Sequence, residues 1–523
     1  MMTDSTVQNE KRPHVEVGLG ALSFQDVIDV CRNNATVSIS TDSLEEIGKS
    51  AQRIRDLANH DQPVYGVSTG FGALASKYIP AEQRTALQRG LIRSHAAGSG
   101  PEIEREVIRG VMLLRLSTMA TGRTGVRPEV AQAYADMLTA GITPVVYEYG
   151  SLGCSGDLAP LAHCALAIIG EGQVRDADGD LKDAAQALPD AGLAPVELAE
   201  KEGLALINGT DGMLSMLVMA LTDLDKLVRL SDVAAAMSVE GLVGTDRVFA
   251  ADLHELRPHP GQIAAAKNMR TVLEGSDIIQ HHQGEHSSYV QDAYSLRCSP
   301  QVAGAVRDTI EHARTVALRE LASAIDNPAV TKDGRVESNG NFHGAPVAYV
   351  LDFLAIAVAD AASISERRTD RFLDTARNRG LNAFLADDPG VDSGHMIAQY
   401  TQAAIVSELK RLAHPASVDS IPSSAMQEDH VSMGWSAARK LRKSVDGLTR
   451  VLAIEILTAA RGIDMRAPQK PAKATGAVIA KLRETVEGPG TDRYLAPEIN
   501  ETVRLVANGE LLKAAEQEIG KLD

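Results

Sequence analysis

The sequence predicts a mainly α protein, a bundle of long helices with a smaller, mixed domain at its N-terminal end. Three observations carry that expectation. From about residue 200 onward, apolar residues recur at helical spacing over long stretches. Aromatic residues make up only 3% of the chain, alanine is plentiful, and β-branched alternation is short and scattered, which disfavours a large sandwich or barrel. Before residue 120 the texture changes, and Gly and Pro punctuate Val64 to Gly72 and Ser94 to Pro101, as in a domain rich in functional loops.

Taken in order, residues 1–14 (MMTDSTVQNEKRPH) lack the apolar core of a signal peptide and the Arg-rich amphipathic pattern of an organelle targeting peptide. They read as a flexible tail. Residues 15–120 are expected to form the mixed domain and 121–523 the helical one. The apolar run from Leu158 to Gly170 is interrupted by His163 and falls short of the roughly 18 uncharged residues of a membrane span. The acidic stretch Arg175 to Asp183 reads as a solvated hairpin or loop. Long helices are predicted across Met213 to Val243, Ala345 to Ile364, Met396 to Leu412 and Ser436 to Ala460. In the first of these, Asp223, Asp225, Lys226, Arg229 and Asp232 mark the wet face of a bundle helix.

Composition narrows the function. A chain of 523 residues, 44% of them hydrophobic, can bury a large core. Its formal charge of −17 repels phosphate backbones and anionic membrane surfaces, which argues against nucleic acid and membrane partners. The four cysteines, Cys31, Cys154, Cys164 and Cys298, form no CxxC pair and suit a reducing compartment, so the cytoplasm is expected. His281, His282 and His286 are close in sequence, but adjacent loop histidines rarely converge on one ion without further ligands, and no metal is expected.

The chemistry concentrates in Gly150-Ser-Leu-Gly-Cys-Ser-Gly-Asp-Leu-Ala-Pro-Leu-Ala-His163. Three glycines in seven residues before an apolar run make a tight loop feeding a helix, with Asp157 placed to cap that helix's amides. On the glycines alone, a capped loop is sufficient explanation. The triplet Cys154-Ser155-Gly156 within this segment resembles the signature of the aromatic amino-acid ammonia-lyases. In that family the triplet cyclises into 4-methylidene-imidazol-5-one, an electrophile made from the chain itself with no external cofactor. Position 156 must be unhindered for its amide nitrogen to reach the Cys154 carbonyl, and Ser155 supplies the methylene by losing its hydroxyl. The family most often has alanine where this chain has Cys154.

The resemblance runs in collinear blocks from about Val64 to His430. Tyr65, in Val64-Tyr-Gly-Val-Ser-Thr-Gly-Phe-Gly72, is similar to the family's catalytic base, and Asn208 to the asparagine that bonds the prosthetic group and the substrate amine. Gln291, Tyr294 and Arg297 resemble the block that contacts substrate and prosthetic group, the Arg fork being suited to a carboxylate. Phe342 matches an aromatic residue near the electrophile. Glu428, in Ser423-Ser-Ala-Met-Gln-Glu-Asp-His430, is a candidate for amine deprotonation or imidazole binding.

Substrate choice in the family resembles a readout at two adjacent positions, here Ser94-His95, a pair that implies histidine as substrate with urocanate and ammonia as products. Met396 agrees with that branch. The chain differs from the family pattern at Gly90, Asp211 and His395. The resemblance further implies long antiparallel helices in an ammonia-lyase and fumarase-like arrangement, a homotetramer, and sites assembled from three subunits. An aminomutase on the same scaffold and a tyrosine or phenylalanine ammonia-lyase are the alternatives.

Overall fold

The computed structural model describes residues 12–59, 65–70, 77–153, 156–283 and 291–523. Their dominant elements are helices, and the longest lie where apolar spacing placed them. Asp211–Gly241, Ala345–Leu373, Met396–Leu412 and Gly434–Asp464 answer the four predicted stretches, and Ser299–Leu321 adds a fifth. Ala345–Leu373 outruns its predicted end at Ile364 because Ser365-Glu-Arg-Arg-Thr-Asp-Arg371 contains no Gly or Pro to break it. By length and composition this one described helix could cross a membrane, and 56% of its most apolar window is buried within the fold.

The chain forms two compact units. The first comprises Met1–Met219, Thr315–Tyr349 and Ala416–Ala438. Near its start a parallel strand pair, His14–Val17 with Thr36–Ile39, accompanies the helices Phe24–Cys31 and Thr41–Ala58. Ser23 opens the earlier helix with a capping box, its hydroxyl accepting from the Asp26 amide while the Asp26 carboxylate accepts from the Ser23 amide. Arg105–Ala120 runs through the core, and from Val107 onward every residue is buried, Arg109 and Arg115 included. The predicted hairpin over 175–183 is present: Gln173–Arg175 pairs antiparallel with Leu181–Asp183, and Thr143–Pro144 adds a third strand.

The second unit comprises Ala220–Arg314, Val350–Pro415 and Arg439–Asp523. Its interior holds a fully buried carboxylate, Glu455. That group accepts from the hydroxyls of Ser238 (2.7 Å) and Ser365 (2.5 Å) and from the Arg368 fork (2.8 Å at Nη2). A buried charge paired this fully is what the low-polarity interior demands.

Candidate active site

Five stretches of the first unit, distant in sequence, meet around a cavity of about 1220 Å³. Tyr65, Gly90, Ser94, His95, Asn208, Phe342 and Glu428 all line it.

One wall is the helix Arg84–His95, which presents Leu87, Gly90, Leu91 and Ser94 at helical spacing. Arg84 ties its start by donating to the Ala58 carbonyl at 2.7 Å, and Arg93 ties its outer face to Glu171 at 2.7 Å. In the last turn Ser94 Oγ donates to the Leu91 carbonyl (3.0 Å), which also lies 2.9 Å from His95 Nδ1. A carbonyl only accepts, so Nδ1 carries the proton and Nε2 of the neutral ring is left as an acceptor. Burial lowers the His95 pKa, with the bond to the Leu91 carbonyl and then the Glu428 carboxylate pulling the other way.

Asn208 stands on a second wall. Its Nδ2 donates to the Asn327 carbonyl at 3.2 Å, while its buried Oδ1 has no partner among the described residues. The backbone beneath is pinned by Arg115, whose Nη1 donates to the carbonyls of Asn208 (2.7 Å) and Ala205 (3.0 Å) and whose Nη2 donates to Ile325 (3.0 Å). Asp211, marked in the sequence only as a difference from the family pattern, is the counter-charge, 3.2 Å from the same Nη2. Burial raises its carboxyl pKa and Arg115 opposes the rise. Sequence reasoning missed Arg115, although an arginine in the middle of the apolar run Val111-Met-Leu-Leu-Arg-Leu116 was a usable signal of a buried, partnered charge.

The glycine-rich loop enters between two sets of hydrogen bonds. Upstream, the Gly153 carbonyl accepts from Ser432 Oγ (2.7 Å) and the Gly344 amide (3.1 Å), and the Leu152 carbonyl accepts from the Met433 amide (2.8 Å). Downstream, Gly156 forms a β-bridge with Gly209, and the Asp157 amide donates to the Gly209 carbonyl at 2.7 Å. Gly156 has φ +77°, and a Cβ there would sit 2.0 Å from the Gly209 oxygen, so no other residue fits. Cys154 and Ser155 lie outside the described residues.

One expectation is corrected here. Asp157 occupies the N-cap position of Leu158–Ile168, yet its side chain does not cap that helix. Its carboxylate instead accepts from the amides of Gly212 (2.9 Å) and Met213 (3.0 Å), in the first turn of Asp211–Gly241, and from Ser151 Oγ (2.8 Å). With φ −90° and ψ +61° its backbone is not in the extended conformation of an ordinary cap, and a different helix start lies within reach. Full burial pushes this carboxyl up to about 7.

Glu428 sits in a short exposed loop closed by a backbone bridge to Ser423, whose hydroxyl donates to its carboxylate at 3.1 Å. Within that loop Ser424, Ala425 and Met426 all have positive φ. His430 lines the same cavity and stacks on His343 at 5.7 Å between ring centroids.

The remaining predicted residues belong to the second unit. Gln291 and Tyr294 are exposed, and the Arg297 guanidinium lies 4.7 Å over the Tyr294 ring while its Nε donates to the Asp292 carbonyl at 3.0 Å. Met396 opens its helix beside the buried His395, which bonds Thr458 Oγ1 at 3.1 Å and whose pKa burial drives down to about 3. Among the described residues, no group of three or more His, Cys, Asp or Glu side chains is arranged to hold a metal, and His286 lies outside them.

Comparison with known proteins bears on this arrangement. Residues 22–484 match the family described as aromatic amino acid lyase. A histidine ammonia-lyase of Streptomyces avermitilis is 62% identical over 509 residues, covering 97% of this chain and 99% of that protein. Among solved structures, histidine ammonia-lyase from Trypanosoma cruzi superposes with a TM-score of 0.89 at 38% identity, covering 97% of this chain and 96% of that one. Tyrosine aminomutase from Streptomyces globisporus superposes with a TM-score of 0.92 at 36% identity, covering 98% and 100%.

Proposed function

The chain belongs to the aromatic amino acid lyase family, and from that membership we propose that it eliminates ammonia from L-histidine without oxidation, leaving trans-urocanate. The observation that carries the choice of substrate is the presence of Ser94, His95 and Glu428 in one cavity with Asn208. An imidazole both donates and accepts hydrogen bonds. His95 Nε2 is an acceptor for its N–H, and the Ser94 hydroxyl and Glu428 carboxylate complete a polar wall. A benzene ring would offer no N–H to the His95 acceptor, at a cost of about 1–3 kcal/mol. The relative at 62% identity carries the same activity in its name.

One feature favours a prosthetic group formed from Cys154, Ser155 and Gly156: position 156 admits no side chain. Among the described residues the buried Asn208 Oδ1 meets no donor, which suits the N–H of a substrate amine rather than the ring, which carries none. Once formed, 4-methylidene-imidazol-5-one supplies an electrophile that no ordinary side chain offers and makes the amine a competent leaving group.

The chain's own residues do the rest. Asn208 Oδ1 orients the substrate amine, Tyr65 removes the β-proton, and Glu428 serves the amine or the imidazole. Phe342 packs beside the reacting centre. Arg297 takes the substrate carboxylate, Gln291 and the catalytic Tyr294 contact substrate and prosthetic group, and Met396 belongs to the histidine pocket. We assign these contacts to a homotetramer in which three subunits complete each site. The exposure of Tyr294, 71%, suits a residue that serves another subunit. The cytoplasm is the expected location.

Incubation with L-histidine, L-tyrosine and L-phenylalanine, following the conjugated acid by near-ultraviolet absorbance together with released ammonia, tests the reading. Urocanate and ammonia from histidine alone are expected. A β-amino acid product would identify an aminomutase, and no ammonia from any substrate would refute the proposal. Tyr65→Phe should keep histidine binding and lose about 10²–10⁴-fold in kcat.

A further inference from the structure

We infer that Ser432, which does not line the cavity, is a positioning residue for maturation of the Cys154-Ser155-Gly156 triplet, an inference that rests on the prosthetic-group reading above. In cyclisation the Gly156 nitrogen bonds to the Cys154 carbonyl carbon. One water then leaves with that carbonyl's oxygen and the amide hydrogens of Gly156 and Ser155. A second leaves with the Ser155 hydroxyl and its α-hydrogen. No oxidant is consumed.

An amide nitrogen is a weak nucleophile because its lone pair is delocalised into the carbonyl, so the reaction depends on how the two ends of the triplet are held. The downstream end is fixed by Gly209, through the bridge to Gly156 and the 2.7 Å bond from the Asp157 amide. Upstream, the Gly153 carbonyl belongs to the peptide plane that ends at the Cys154 nitrogen. Ser432 Oγ and the Gly344 amide are its donors among the described residues. The Ser432 hydroxyl is buried and accepts from the Gly434 amide at 3.2 Å, so its single proton is committed to Gly153. Two anchors on separate chain segments thus leave only Cys154 and Ser155 between them, and removing the hydroxyl frees the upstream plane.

The test is intact mass, followed over time after a short pulse of expression. The wild-type chain should show loss of two waters. Ser432→Ala should mature about tenfold more slowly, the rate effect of losing one buried hydrogen bond. Its matured chains should keep the wild-type KM for histidine, which damage to the cavity would not allow. Ser432→Cys, with a weak S–H donor of similar size, should fall between the two, and it decides the question if the alanine variant does not fold. Maturation at the wild-type rate in whichever variant folds overturns the role of Ser432 alone. An uncyclised wild-type mass overturns instead the prosthetic-group reading on which it rests.

Discussion

Two loops meet the same cavity and are built on opposite principles. In the loop from Gly150 to Asp157, Ser151, Gly153, Gly156 and Asp157 are buried, and the loop is caught by donors and acceptors from the segments around 209–213, 344 and 432–434. The loop from Ser423 to His430 is largely exposed, is closed mainly on itself through Ser423 and Glu428, and carries three consecutive non-glycine residues at positive φ. On the proposed function, geometry in the first serves covalent chemistry within the chain, and a displaced anchor slows the reaction. In the second, geometry serves a ligand that arrives and departs, so compliance costs little. Substitutions in the first should therefore change what the protein is, and those in the second how well it binds.

Gly156→Ala should have the largest effect. A Cβ 2.0 Å from the Gly209 oxygen cannot be accommodated without breaking the bridge, and the variant should retain its full uncyclised mass and release no detectable ammonia. Two-water loss in this variant would mean that the first loop is as pliable as the second.

Asp157→Asn comes next and is read through pH. Burial pushes the Asp157 carboxyl up to about 7, so the folded chain holds a proton that the unfolded chain releases. The stability this provides is fully present below the unfolded value near 4 and is lost as pH rises through about 7, at about 1.4 kcal/mol per unit. The difference in unfolding free energy between the wild type and the asparagine variant, measured by urea across that window, should change with this slope.

Glu428→Gln should still show the loss of two waters and raise KM for histidine about tenfold, the effect of about 1.4 kcal/mol of lost binding. A change in maturation instead would erase the division between the loops. The smallest effect is expected of Ala425→Gly, which relieves a φ of +52°. It should raise stability by at most about 1 kcal/mol in thermal unfolding.

The helices were legible because burial imposes a period on the sequence. Met396–Leu412 was placed to the residue, and Asp211–Gly241 to within two at each end. Tyr65, Ser94, His95, Asn208, Phe342 and Glu428 were found through collinear motifs, and the fold gathers them. Contacts that leave no local trace were not legible. Asp157 looks like the cap of the helix it precedes but serves another that begins at Asp211, a partner that only the tertiary fold reveals. Ser432 is one serine among many, and nothing around it announces a bond to Gly153.

That bond joins residues 279 positions apart. A ribosome adding roughly 5–20 residues per second needs on the order of tens of seconds to travel from one to the other. During that interval a nascent chain has the triplet but lacks one of its anchors. On the proposed prosthetic-group reading, cyclisation is thereby favoured late, once the chain through Ser432 has emerged.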